Sequence, residues 1–296
     1  MDYQWYPGHM TKARRMMQEN IALIDLLIEL TDARAPQSGR NPDIDSLAKG
    51  KSRIIVLNKA DLADSEATDS WRSHFEQEGI LTAAVDSRKG SGVRQLKPLI
   101  DKACQEKLER NRRRGIVNRP VRAMIAGIPN VGKSTFINSF AGKAVAKTGD
   151  KPGVTKGKQW IRLNKNVELL DTPGILWPKF DDRIIGMRLA ILGSIRDEIT
   201  DEGELALWLI RYLTDAYPDA LEERYSFGPD MSEAVQDAGE ALPDEDSSTA
   251  RMMLEMIAVR RGCLKAGGVA DLTKASKVLI DDFRSGRLGR ITLERP

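Results

Sequence analysis

The chain has 296 residues, 41% of them hydrophobic and 30% charged, with a formal net charge of +3. That is material for one α/β domain of about 150–200 residues plus a smaller one, and it excludes a disordered or fibrous chain. The two cysteines, Cys104 and Cys263, have neither disulfide-framework nor metal-ligand spacing, which points to a reduced, cytoplasmic setting.

The opening "MDYQWYPGHM" lacks the apolar stretch of a secretory signal. The apolar run "IALIDLLIEL", residues 21–30, is too short for a bilayer and carries Asp25 and Glu29, so no membrane span is predicted. Buried strands are predicted at 26–33, 53–59, 80–87 and 121–128, each an apolar run that ends in a polar loop. Helical spacing fills 68–78, 92–112 and 133–142, and "ERNRRRGIVNRP" (109–120) reads as a basic linker. "QWIRLN" and "VELLDTPG" read as neighbouring strands joined by the turn "NKN".

Beyond Trp177-Pro178 no strand is predicted. "RIIGMRLAILGSI", "ELALWLIRYLTDAY", "STARMMLEMIAVRRG" and "LTKASKVLIDDFRSG" carry apolar residues at helical spacing, and "ALPDEDSST" reads as a loop. The predicted organisation is a doubly wound, mostly parallel α/β domain over residues 1–180 and a small all-helical domain over 181–296. Charge divides along the same lines. The net is +11 over 1–180, −13 over 181–248 and +5 over 249–296. Two basic blocks around an acidic one suggest a polyanionic partner.

Three motifs carry chemistry. Gly127-Ile-Pro-Asn-Val-Gly-Lys-Ser134 fits the phosphate-binding loop G-x-x-x-x-G-K-[ST], placed after a strand and before a helix. Backbone N–H groups around Asn130, Val131 and Gly132 would wrap the phosphates, together with Lys133, Ser134 and Thr135. Lys133 would neutralise the β and γ oxygens, and the Ser134 hydroxyl would meet Mg²⁺. "DTPG" supplies Asp171 for Mg²⁺ and the Gly174 N–H for the γ-phosphate. Thr155, in "KPGVTKG", is the candidate for a second hydroxyl on the metal. "NKAD" reads the base. Asp61 can accept from guanine N1–H and the 2-amino group, Asn58 would brace the loop, and the Lys59 stem would cover the ring. "DSRKG", with Asp86 and Ser87, would bring a backbone N–H to guanine O6.

The guanine reader precedes the phosphate loop here, the reverse of a Ras-like domain. Reading from Val121 to Gly174 and then from Leu26 to about Arg114 restores the Ras-like order, so the motifs describe a circularly permuted P-loop GTPase domain. With "WYPGHM", "DARAP", "NKAD", "GIPNVGKST", "PGVTKG" and "DTPG" in that order, the chain resembles the circularly permuted GTPases of ribosome assembly. The resemblance implies GTP and GDP as ligands and late maturation of the large (50S) ribosomal subunit as the task. It also implies that subunit and its rRNA as partners, and a ribosome-binding helical domain. DNA is not expected, and a monomer is favoured.

Ile175 stands where Ras-type enzymes carry a water-orienting Gln, so intrinsic hydrolysis should be slow. Lys133 and Gly174 remain to stabilise charge, and two further residues are candidates for the missing function. Asn130 can help bind K⁺, as in related GTPases, or brace its loop. His9 can approach the γ-phosphate once a partner docks, or simply pack near the chain start. A switch acting on protein partners and an RNA-binding scaffold with structural GTP are the competing readings.

Overall fold

The computed structural model describes residues 8–116, 119–143, 159–163, 166–172, 174, 176, 182–227 and 247–296. They form two compact units, one of Met1–Leu189 with Glu294–Pro296 and one of Ala190–Leu293.

The first unit is built on a six-stranded sheet, β1 (Leu26–Asp32), β2 (Ser52–Asn58), β3 (Leu81–Val85), β4 (Val121–Gly127), β5 (Gln159–Arg162) and β6 (Val167–Asp171). Its spatial order is β3-β2-β1-β4-β6-β5, parallel throughout except for β5, which runs antiparallel to β6. The central β1–β4 ladder pairs Leu26–Leu30 with Ala123–Gly127 and joins segments almost a hundred residues apart. It is the seam at which the permuted halves meet.

Both faces of the sheet are covered, which is why these strands read as continuous apolar runs rather than alternating ones. Leu27, Met124 and Ala126 pack with Met17 of α1 (Gly8–Asn20) and Ile44 of α2 (Pro42–Leu47), and Ile55 and Leu57 pack with Trp71 and Phe75 of α3 (Ser65–Gln77). Leu26, Ile28, Leu30, Ile54 and Val56, of opposite parity, are just as fully buried. Further cover comes from α4 (Leu96–Ala103), packed on β2 and β3, and α6 (Lys133–Ala141), packed on β4.

Strand β1 and the residue before it hold three buried acids, and each has a cation. Asp25 meets Lys107 and Arg119, Glu29 meets Arg53 at 2.5 Å, and Asp32 meets Arg34 at 2.9 Å. Each has a second cation nearby as well, Arg40 for Glu29 and Lys59 for Asp32, as a buried carboxylate requires.

Helix spacing over 92–112 suggests one helix, but the chain makes a 3-10 turn at Val93–Gln95, then α4, then α5 (Gln105–Arg113). The break falls at Cys104, whose ψ of 9° leaves the α-helical range. Its side chain is buried, and burial raises the thiol to about 11, so it stays neutral and inert. The short helix α2 carries no amphipathic period. It starts instead from a cap, with the Asn41 side chain accepting from Asp43 N, and Pro42 at the first turn.

α7 (Arg183–Ile191) leads from the first unit into the second. The second unit contains α8 (Glu202–Ala216), α9 (Asp219–Tyr225), α10 (Ser247–Arg260) and α11 (Leu272–Arg284). Leu205, Leu209, Leu213, Ile257, Leu279 and Phe283 form its buried stripe. Asp201 caps α8 by accepting from Gly203 N and Glu204 N, and Asp271 caps α11 by accepting from Lys274 N. Asp282 is fully buried and accepts from Arg224, Arg287 and the Tyr225 hydroxyl. Burial opposes its charge, yet the bonds from Arg224 and Arg287 hold its carboxyl below the usual carboxylate range. An isolated antiparallel bridge, Leu264–Ala270, is the extended pairing found there, where sequence pattern predicts helices alone.

Candidate functional site

Strands β1, β2, β3, β4 and β6 are parallel, so their carboxyl ends share one edge of the sheet, the edge where ligands bind in open α/β folds. Asp32, Asn58, Val85, Gly127 and Asp171 are the last residues of those strands. "DARAP", "NKAD", "DSRKG", "GIPNVGKST" and "DTPG" all start from this edge.

The phosphate loop leaves β4 at Gly127 and re-enters helix at Lys133. Gly132 takes φ 91°, a left-handed conformation suited to glycine, and a Cβ there would lie 2.6 Å from Asn58 Nδ2. Gly174 is needed for space. A Cβ on it would come within 2.9 Å of Pro129 N, so the "DTPG" turn lies directly against the phosphate loop. Lys133 is buried, and its Nζ donates to Asp171 Oδ1 at 2.7 Å. Ser134 and Thr135 follow on the first turn of α6, both half-buried. Thr172 secures the end of β6 through its hydroxyl, which donates to Ile125 O at 2.6 Å.

The "NKAD" loop is fastened to the phosphate loop at two points. Asn58 Nδ2 donates to Val131 O at 2.8 Å, and Lys59 Nζ donates to Asn130 O at 2.9 Å. Lys59 and Asn130 both adopt left-handed backbone, φ 59° and 60°. Such a conformation is uncommon for residues other than glycine and persists only where surroundings enforce it. Asn58 also gathers the third loop, because its Oδ1 accepts from Ser87 N at 3.2 Å and Ser87 Oγ at 2.6 Å. Asp86 closes its own turn by accepting from Arg88 N and Lys89 N. Ala60 N donates to Val85 O, which leaves the half-buried Asp61 in the turn that follows. Asn58 is thus the hub that joins the phosphate loop, "NKAD" and "DSRKG".

Two residues of "DARAP", to which sequence pattern assigns no role, stand beside these loops. Asp32, at the end of β1, accepts from Lys59 Nζ at 2.9 Å and is forked by Arg34. Burial opposes ionisation of Asp32, and the Arg34 and Lys59 cations outweigh it, so its carboxyl is held well below the usual range. Arg34 is 2% exposed. A buried Asp-x-Arg at a strand end is the signal that marks them, since Arg is almost never buried unless paired. His9 belongs to α1, but its side chain lies outside the described residues, as do Thr155 and Ile175.

A family model described as 50S ribosome-binding GTPase matches residues 122–227. Ribosome biogenesis GTPase A of Bacillus licheniformis is 45% identical over 296 residues, covering 100% of this chain and 99% of the relative. The chain belongs to the ribosome biogenesis GTPase A family. Among solved structures it resembles GDP-bound TM YlqF, at a TM-score of 0.64 and 26% identity, with 95% of this chain and 99% of that one covered. GNP-bound YlqF from T. maritima follows at 0.61 and 27%, with 96% and 98% covered. As a ribosome biogenesis GTPase A family member the chain binds guanine nucleotide and hydrolyses GTP in ribosome biogenesis. The permuted sheet order agrees with that family. Among the described residues no helix is long and apolar enough to cross a membrane.

Proposed function

We propose that this GTPase acts in late maturation of the large (50S) ribosomal subunit, binds its rRNA, and hydrolyses GTP faster on that subunit. The observation that supports this reading is the placing of the "DTPG" turn. Gly174 abuts the phosphate loop, and the chain then continues through α7 into the helical unit. A γ-phosphate that holds this turn would thereby bias the helical unit, and its loss would release it.

In this reading Asp61 selects guanine, Asn58 and Ser87 hold the base loops, and Lys133 balances the β and γ phosphates. The hard oxygen donors Ser134 and Asp171 suit Mg²⁺, which would neutralise phosphate charge, with Thr155 as a further hydroxyl. Asn130, at the exposed crest of the phosphate loop, is the K⁺ candidate. His9 would act only with the subunit docked.

Co-sedimentation with purified ribosomal subunits in GTP, GDP and a non-hydrolysable analogue tests the proposal. Binding to large subunits should be strong with the analogue, weak with GDP, and weaker as salt rises. Nucleotide-independent binding, or none, would reject it. For Asn130 the check is the cation. Turnover should be several-fold faster in K⁺ than in Na⁺ at equal ionic strength, since a fixed cation at the phosphates stabilises developing charge. Equal rates would remove K⁺ from the site.

A further inference from the structure

The last three residues of the sequence, Glu294–Pro296, belong to the nucleotide unit, although the hundred residues before them form the helical one. Glu294 is 6% exposed and its carboxylate takes four donors. Oε1 accepts from Gln37 N at 2.5 Å and Ser38 N at 2.8 Å, while Oε2 accepts from Ser38 Oγ at 2.5 Å and Arg188 Nη1 at 2.8 Å. Its backbone carbonyl accepts from Trp71 Nε1 at 3.0 Å, and Arg295 meets Asp64 at 2.9 Å. Hydrogen bonds to a carboxylate are among the stronger ones, and three of these four fix Gln37 and Ser38.

What they hold is the loop that leaves β1. From Ser38 it runs back through Pro36, whose carbonyl accepts from Thr31 Oγ1, to the buried Arg34–Asp32 pair. Asp32 holds Lys59 Nζ, and Lys59 donates to Asn130 O on the phosphate loop. We infer that Glu294 is a positioning residue for the guanine-reading loop, acting through Ser38, the Asp32–Arg34 pair and Lys59. Arg188 and Glu294 also stand just outside the two points where the chain passes between units, after Leu189 and after Leu293. The Arg188–Glu294 pair therefore ties both crossings to the base side of the site.

The inference rests on the reading of "NKAD" as the guanine site, and the experiment separates the two. Dissociation constants and release rates of fluorescent GDP and IDP are measured for the full chain, Glu294→Ala, Glu294→Gln, Ser38→Ala and the control Arg295→Ala. IDP lacks the 2-amino group that Asp61 would read. Loss of the carboxylate should speed GDP release about five- to tenfold and shrink the GDP preference over IDP, while Glu294→Gln, which keeps an acceptor for the two backbone N–H groups, retains most of it. Ser38→Ala, a milder change, should move both quantities in the same direction, and Arg295→Ala neither. A lowered melting temperature with an unchanged GDP-to-IDP ratio in Glu294→Ala and Ser38→Ala would overturn the inference and leave Glu294 a structural tie. If Asp61→Asn itself leaves the ratio of the full chain intact, the reading of "NKAD" fails instead, and the inference with it.

Discussion

Replacing Asp61 by Asn should lower GTP affinity about a hundredfold or more and raise affinity for xanthine nucleotides. The carboxylate can accept from both N1–H and the 2-amino group of guanine, each a bond to a charged group of about 1.5–3 kcal/mol. Asparagine offers one acceptor and one NH₂, and the NH₂ faces a donor on guanine but a carbonyl on xanthine. Discrimination of this kind is steep because the wrong base leaves a polar group unpaired. The fold supports the assignment physically. Ala60 N is fixed to Val85 O, and Lys59 is held by Asp32 and Asn130, so the turn carrying Asp61 has little freedom to adapt to another base. Equilibrium titration with GTP and XTP is the check. Equal GTP affinity in variant and wild type would place the base elsewhere.

Turnover by the isolated chain should be slow and should rise by one or more orders of magnitude on large ribosomal subunits, because Ile175 offers no polar atom to orient water. Arg260, Arg261 and Lys265 are exposed at the end of α10 and in the turn beyond it, whereas Lys274 and Lys277 have acidic neighbours in Asp271 and Glu202. Reversing the first three to Glu should cut stimulation and flatten the salt dependence of subunit binding by about 2–3 units in log–log slope, at 0.7–0.9 per phosphate contact. Basal GDP affinity should not change. Deleting residues 249–296 is a poorer test, since it removes Glu294 along with two helices that bury Leu254, Ile257, Leu279 and Phe283 in the second unit's core. Single-turnover hydrolysis with and without subunits decides the matter. Full stimulation of the triple variant would exclude this surface as the docking face.

The strands were legible because a parallel sheet buried on both faces needs uninterrupted apolar runs, and β1, β2 and β4 have them. The placement of the phosphate loop and "NKAD" was legible because each signal is local and a few residues long, and Gly127 and Asn58 do end strands β4 and β2. Helix α2 was not, because six residues started by a cap carry no period. The break at Cys104 was equally silent, since apolar spacing continues across it. Asp32 and Arg34 stood in a quoted motif without a role, because a charged pair at the end of a buried strand acquires meaning only when Lys59 is seen beside it. Glu294 was beyond reach of pattern altogether, being more than 250 residues from the Ser38 it binds.

That last separation bears on how the molecule is made. The ordinary expectation is that an amino-terminal domain folds while later ones are still being translated. Here β1, β2 and β3 can pair early, but β4 and β6 must arrive before either phosphate-binding turn exists, and the loop after β1 waits for Glu294. At about 5–20 residues per second, the interval between Asp171 and Glu294 is about 6–25 s. For that time a nascent chain would hold every strand of the sheet without the carboxylate that steadies its base-reading side. A newborn molecule should therefore retain nucleotide firmly only once synthesis has passed Glu294.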